Sequence, residues 1–87
     1  MDLQAQVKQF LVKNFYVSDP AELTADTSLI TGGYVDSTGM LEVIAFLEAE
    51  FGFAVADDET TPENLETIGR IAAFVERRRR VPAAAGS

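Results

Sequence analysis

Asp36-Ser37-Thr38-Gly39-Met40-Leu41-Glu42-Val43-Ile44-Ala45-Phe46-Leu47-Glu48-Ala49-Glu50-Phe51-Gly52 is the stretch that decides the architecture. Met40, Ile44, Leu47 and Phe51 recur at the i, i+4, i+7, i+11 spacing of one helical face, with Val43 and Phe46 on its flank. This predicts a helix with those six residues towards the core. Gly52 suits the far end, since glycine accepts the left-handed conformation that commonly closes a helix. At the near end, Asp36 and Ser37 are residue types whose side-chain oxygens satisfy free backbone N–H groups, and capping alone is enough to account for them. The remaining side carries Thr38, Leu41, Glu42, Ala45, Glu48 and Ala49. This mixed strip of acids and small or apolar groups suits a docking surface, and a solvated helix face would read the same.

Upstream, Leu3, Val7, Phe10, Leu11 and Phe15 predict a first helix over about Asp2 to Tyr16. Ser18-Asp19-Pro20 breaks it, and residues 18–35 read as a long loop rich in Thr, Asp and Gly, pinned to the core by Leu23, Leu29 and Ile30. Downstream, Asp57-Asp58-Glu59 reads as a solvated acidic turn. Thr61-Pro62-Glu63 is a helix start with Pro in the first turn, giving a short helix over about 62–66. Thr67 can cap a last helix with Ile68, Ile71, Ala72 and Val75 on its apolar face. Arg77 to Arg80 lie where cations oppose the carbonyl end of its dipole, and Pro82 ends it. No segment shows sustained strand alternation, so the fold class is all-α, three main helices and one short helix around one core. Residues 1–81 form the single domain, followed by a flexible tail over 82–87.

Composition narrows the function. The chain of 87 residues is 47% hydrophobic and 24% charged, and it has neither Cys nor His. Disulfides, thiolate nucleophiles, Cys/His zinc sites and imidazole-based triads are thereby excluded, and no enzyme mechanism suggests itself. Residues 1–69 carry two Lys against thirteen acids, a net −11, whereas residues 70–87 carry five Arg against one Glu, a net +4. An acidic body repels phosphate backbones, which argues against nucleic acid and for basic protein surfaces as partners. No apolar run approaches the roughly 18 residues of a membrane helix, and the N-terminus lacks a secretory layout, so a cytoplasmic monomer without membrane insertion is expected.

The run from Gly33 to Glu48 closely resembles the modification segment of acyl carrier proteins, and the resemblance covers about residues 3–80. It implies a four-helix bundle of acyl-carrier type with a long loop between helices one and two. It further implies that Ser37 receives a phosphopantetheine arm from coenzyme A, delivered by a phosphopantetheinyl transferase. Asp36 would support that modification, and the arm's thiol would hold acyl groups as thioesters. Glu42 and Glu48 match acidic positions gripped by partner enzymes, so loading ligases or synthases with basic docking patches are expected on the strip of Thr38, Leu41, Glu42, Ala45, Glu48 and Ala49. No metal ligand and no catalytic residue is implied. Thr38 stands where the family usually has Leu, and Gly39 where an acid is frequent. The reading is a carrier for a dedicated fatty-acid, polyketide-like or related pathway, with short or medium cargo partly sheltered between helices two and three. An aminoacyl or peptidyl carrier loaded by an adenylating ligase uses the same scaffold. An unmodified acidic interaction module is the alternative from another class.

Overall fold

The computed structural model describes residues 2–15, 17 and 19–80. Four helices follow one another, α1 (Leu3–Asn14), α2 (Ser37–Phe51), α3 (Pro62–Leu65) and α4 (Ile68–Arg80), and no strand occurs among the described residues. The all-helical arrangement expected from the sequence is therefore the observed one. Tyr16 as the end of helix one, Ser18, the Pro82 stop and the 82–87 tail lie outside the described residues.

α1, α2 and α4 each begin where a polar side chain satisfies one of the first N–H groups, whereas α3 starts on Pro62 without a side-chain cap. Asp2 accepts from Ala5 N at 2.7 Å for α1, and Thr67 Oγ1 accepts from Arg70 N at 3.0 Å for α4. α1 is shorter than its apolar pattern predicts, because the backbone of Phe15 is already extended at φ −127°, ψ 159°. α2 ends at Gly52, whose φ of 76° and ψ of 33° are left-handed and whose N–H donates to Glu48 O at 3.0 Å. A side chain there would strain the backbone.

Val7 and Leu11 of α1, Val43 and Leu47 of α2, Leu65 of α3, and Ile68, Ile71, Phe74 and Val75 of α4 form one buried cluster. At about 1.5–3 kcal/mol for each large aliphatic or aromatic side chain removed from water, this cluster is the main force holding the helices together. The long loop contributes Leu23, Leu29 and Val35 to it. A one-turn 3-10 helix over Pro20–Glu22 stands inside that loop, capped by Asp19 on Ala21 N at 3.0 Å. Backbone bonds then tie the loop to the α3–α4 junction, Leu29 N to Glu66 O at 2.8 Å and Gly69 N to Ala25 O at 2.9 Å.

Three expectations require correction. Ile30 is not a core anchor; it is 47% exposed, because the loop turns between it and the fully buried Leu29. The buried stripe of α2 is Gly39, Val43 and Leu47, whereas Met40, Ile44, Phe46 and Phe51 are only half-buried. The apolar arc of α2 is wide enough for three neighbours, so its centre lies at the supposed flank. Phe46 stacks on Phe10 of α1 with ring centroids 4.2 Å apart, adding an aromatic contact between the two helices. Finally, the 3-10 turn Asp57–Glu59 exposes Asp57 and Asp58 as expected, but Glu59 is not free in solvent, since it is paired with Arg78 of α4.

Candidate functional site

The start of α2 assigns different work to two adjacent polar residues. Asp36 occupies the N-cap, where its Oδ1 accepts from Gly39 N at 2.6 Å. Ser37 is the first helical residue. Its hydroxyl is exposed and makes no hydrogen bond with another described residue, so it is available as a nucleophile or as a point of attachment. As residue types the two are interchangeable caps; their positions separate them.

Gly39 explains one departure from the family pattern. It is buried, and a Cβ there would lie 2.7 Å from Phe15 Cε1 and 3.2 Å from both Asp36 Oδ1 and Val35 Cγ1. An acid at this position would force a charge into a packed space. The approach of the Phe15 ring thus requires glycine here, and Asp36 supplies the acid of this turn.

The loop leading to Ser37 is held in a defined course. Tyr34 Oη donates to Glu22 Oε1 at 2.8 Å, and this bond, with the neighbouring Glu22 and Asp19 charges, raises the phenol above its usual pKa of 10.0. Backbone N–H groups of Tyr34 and Val35 both donate to Leu29 O, at 2.9 and 3.0 Å. These contacts fix the chain just ahead of the α2 cap.

Ser37 opens onto a groove of about 520 Å³ between α2 and residues 57–66. Met40, Leu41 and Ile44 line one side, and Thr61, Pro62 and Leu65 line the other. A volume of this size is within the range of small-ligand sites, and its surface is mainly apolar. Ile30 and Leu41, the latter 66% exposed, stand at the same opening. Sequence reading missed Ile30 as a site residue. Its one signal was an apolar side chain beside Thr31 and Gly32 in a loop otherwise rich in turn formers.

The expected docking strip is brought together only in part. Thr38, Leu41, Glu42, Ala45 and Ala49 are exposed on α2, but Glu48 is half-buried and its Oε2 accepts from Val55 N at 2.8 Å. Glu48 therefore organises the segment after α2 and offers less of its charge to a partner. Among the described residues, no group of three or more acids is placed to hold a metal ion. Among the described residues, no helix is long and apolar enough to cross a membrane.

The described side chains fit a covalently attached anionic arm: a free serine hydroxyl, a helix start favouring negative charge and an apolar groove beside it. Comparison with known proteins leads to the same family. No protein-family model matches the chain. It is 32% identical over 78 residues to the acyl carrier protein of Chlamydia trachomatis serovar D, covering 90% of this chain and 97% of that one. Over 53 residues it is 40% identical to the D-alanyl carrier protein of Abiotrophia defectiva, covering 61% of this chain and 67% of the relative. The solution structure of a holo acyl carrier protein from Nitrosomonas europaea superposes with a TM-score of 0.69 at 31% identity, over 90% of this chain and 96% of that one. With the fold, the site and these relatives in agreement, the chain belongs to the acyl carrier protein family, and is itself a carrier and not an enzyme.

Proposed function

We propose that residues 1–81 act as one carrier unit that holds acyl intermediates through Ser37 for a dedicated fatty-acid, polyketide-like or related biosynthetic pathway. The prosthetic group of such a carrier is a covalent phosphopantetheine, whose terminal thiol binds the acyl group as a thioester. Everything else in the mechanism falls to the chain's own residues. Asp36 caps α2 and leaves the Ser37 hydroxyl uncommitted. The first-turn N–H groups and the dipole of α2 stabilise a phosphodiester on that hydroxyl. Met40, Leu41, Ile44 and Leu65 offer apolar surface to a short or medium cargo. Thr38, Leu41, Glu42, Ala45 and Ala49 offer loading ligases or synthases an acidic and apolar face, with Glu48 contributing through Val55. The phosphopantetheinyl transferase approaches the same helix start, and the carrier acts as a cytoplasmic monomer.

The observation that carries this reading is the exposed, unbonded hydroxyl of Ser37 at the mouth of an apolar groove. Incubation with coenzyme A and a broad-specificity phosphopantetheinyl transferase should add one arm to the intact mass, and Ser37→Ala should add none. Modification of Ser37→Ala would overturn the assignment. A second reading, an aminoacyl carrier, is favoured by the 40% identity to a D-alanyl carrier protein. Preference of the purified holo-chain for acyl-adenylate or aminoacyl-adenylate donors, measured by mass, decides between the two.

A further inference from the structure

The 57–66 wall of the groove has two sides. Asp57, Thr60, Thr61, Pro62, Leu65 and Glu66 line the groove, whereas Glu59 and Asn64, between them in sequence, are bound by α4. Arg78 Nη1 lies 2.5 Å from Glu59 Oε1, an oxygen that also accepts from Ala56 N at 2.9 Å. Arg77 Nη2 donates to Asn64 Oδ1 at 2.7 Å, while Asn64 Nδ2 donates to Glu59 O at 3.0 Å. The Arg78 guanidinium also stands 5.1 Å from the centre of the Phe53 ring.

Apolar burial does little to hold this wall. Leu65 is the one fully buried residue between 56 and 66. Its C-terminal end is tied separately, by Ser28 Oγ to Glu66 Oε2 at 2.8 Å and by Arg70 to Glu66 at 3.5 Å. The N-terminal end depends on the arginines. A segment with few buried contacts and several polar ties moves at low free-energy cost once those ties are cut.

We propose that Arg77 and Arg78, reaching from α4 to Asn64 and Glu59, latch the wall of the groove and thereby limit the length of acyl chain sheltered beside Ser37. This deepens the proposed function and rests on the groove's being the cargo shelter. Arg77 and Arg78 are positioning residues, since they touch the back of the wall and not the cargo. With the latch closed, the wall stays where α4 holds it, and chains longer than the space leave their ends in water. With the latch cut, the 57–61 end swings outward and longer chains enter.

The test uses the full-length chain, charged at Ser37 with butanoyl, hexanoyl, octanoyl, decanoyl and dodecanoyl phosphopantetheine from the matching coenzyme A thioesters. Hydroxylamine cleavage of each thioester, followed by intact mass, measures shelter. In the Arg77→Ala/Arg78→Ala variant the longest protected chain should lengthen by at least one member of the series. Its cleavage should slow about five-fold relative to wild type, the scale of one or two exposed ion pairs. Arg79→Ala, which removes a guanidinium 5.7 Å from the Phe51 ring, should keep the wild-type profile. The exchanged pair Glu59→Arg/Arg78→Glu should move the profile back towards wild type relative to Arg78→Glu alone. Should the double alanine variant melt below the assay temperature, Glu59→Gln serves, because it weakens the tie to Arg78 without emptying the position. An unchanged length profile in folded variants overturns the latch, and so does an equal loss of protection at every length. Absence of protection for every chain in wild type overturns the shelter itself, a failure distinct from that of the latch.

Discussion

Replacing Asp36 by alanine and Ser37 by alanine should have opposite consequences, although the two residues are neighbours at one helix start. Asp36 Oδ1 lies 2.6 Å from Gly39 N, so Asp36→Ala removes a charged cap. Loss of a cap costs about 1 kcal/mol and loss of a negative charge at a helix start about 0.5 kcal/mol, together about 1.5 kcal/mol. For a domain of this size, each kcal/mol displaces Tm by about 4–8 °C, so Asp36→Ala should melt about 6–12 °C lower. Asp36→Asn retains a capping oxygen and should lose only about 2–4 °C. Ser37→Ala removes a hydroxyl that bonds to no other described residue and should stay within about 0.5 kcal/mol of wild type, yet abolish modification. Thermal unfolding of the unmodified proteins by far-UV circular dichroism at pH 7 measures the first effect, and intact mass after transferase treatment measures the second. If Ser37→Ala melted as early as Asp36→Ala, or Asp36→Ala melted with wild type, the serine would be the working cap and its availability for the arm would lose its structural basis. Asp36→Asn adds a further distinction, since modification slower than its small loss of stability explains would show the carboxylate acting on the transferase itself.

Gly39→Ala should lower stability by about 1 kcal/mol despite the better helix propensity of alanine, because its Cβ would stand 2.7 Å from Phe15 Cε1. A Tm above wild type would show that the ring moves aside freely. Acidification should weaken the tie between residues 57–59 and α4: the Ala56 N–H first, and then Arg78 and Arg77, hold Glu59 below its ordinary pKa of 4.5. A depressed carboxylate stabilises the fold above that value and loses its contribution as pH falls through the folded pKa, so the Tm difference between wild type and Glu59→Gln should be full at pH 6 and shrink as pH falls below 4.5. A constant difference over that range would remove the carboxylate charge from the account. Glu42→Lys should weaken binding of a loading enzyme more than Glu48→Lys does, since Glu42 is exposed and Glu48 is bonded to Val55 N, and the Glu42 effect should shrink as salt rises. Equal losses insensitive to salt would place the docking surface elsewhere.

Features that depend on neighbouring residues were legible, and features that depend on distant ones were not. Caps and stops at Asp36, Gly52, Pro62 and Thr67 follow from local backbone chemistry and stand where the sequence puts them. The α2 wheel missed its true centre because Gly39 has no side chain to mark it as buried, and because half-buried Met40, Ile44 and Phe46 outrank it in hydrophobicity. Arg77 to Arg80 read as dipole partners, which is a local rule. The actual contacts of Arg77 and Arg78 span 13 and 19 residues of sequence, a distance no periodicity records. The groove is a space between elements and leaves only an indirect trace, the surplus of apolar residues on α2 beyond what one buried face needs.

The uneven charge of the chain has a structural meaning once those arginines are placed. Arg77, Arg78 and Arg79 stand against the rings of Phe74, Phe53 and Phe51, and two of them also bind the 59–64 segment. The two lysines of the body sit on α1, beside Phe46 and Glu50 in a separate surface groove. Neither group lines the groove at Ser37, where Asp57, Leu41 and Ile30 are exposed. Had the five arginines been scattered over the body, they would have weakened the negative field around Ser37. On α4, Arg70, Arg77 and Arg78 instead tie neighbouring segments of the bundle, and the face around Ser37 keeps its negative potential. That arrangement would favour fast, weak encounters with a basic protein surface, because charge steers approach without requiring a large buried interface.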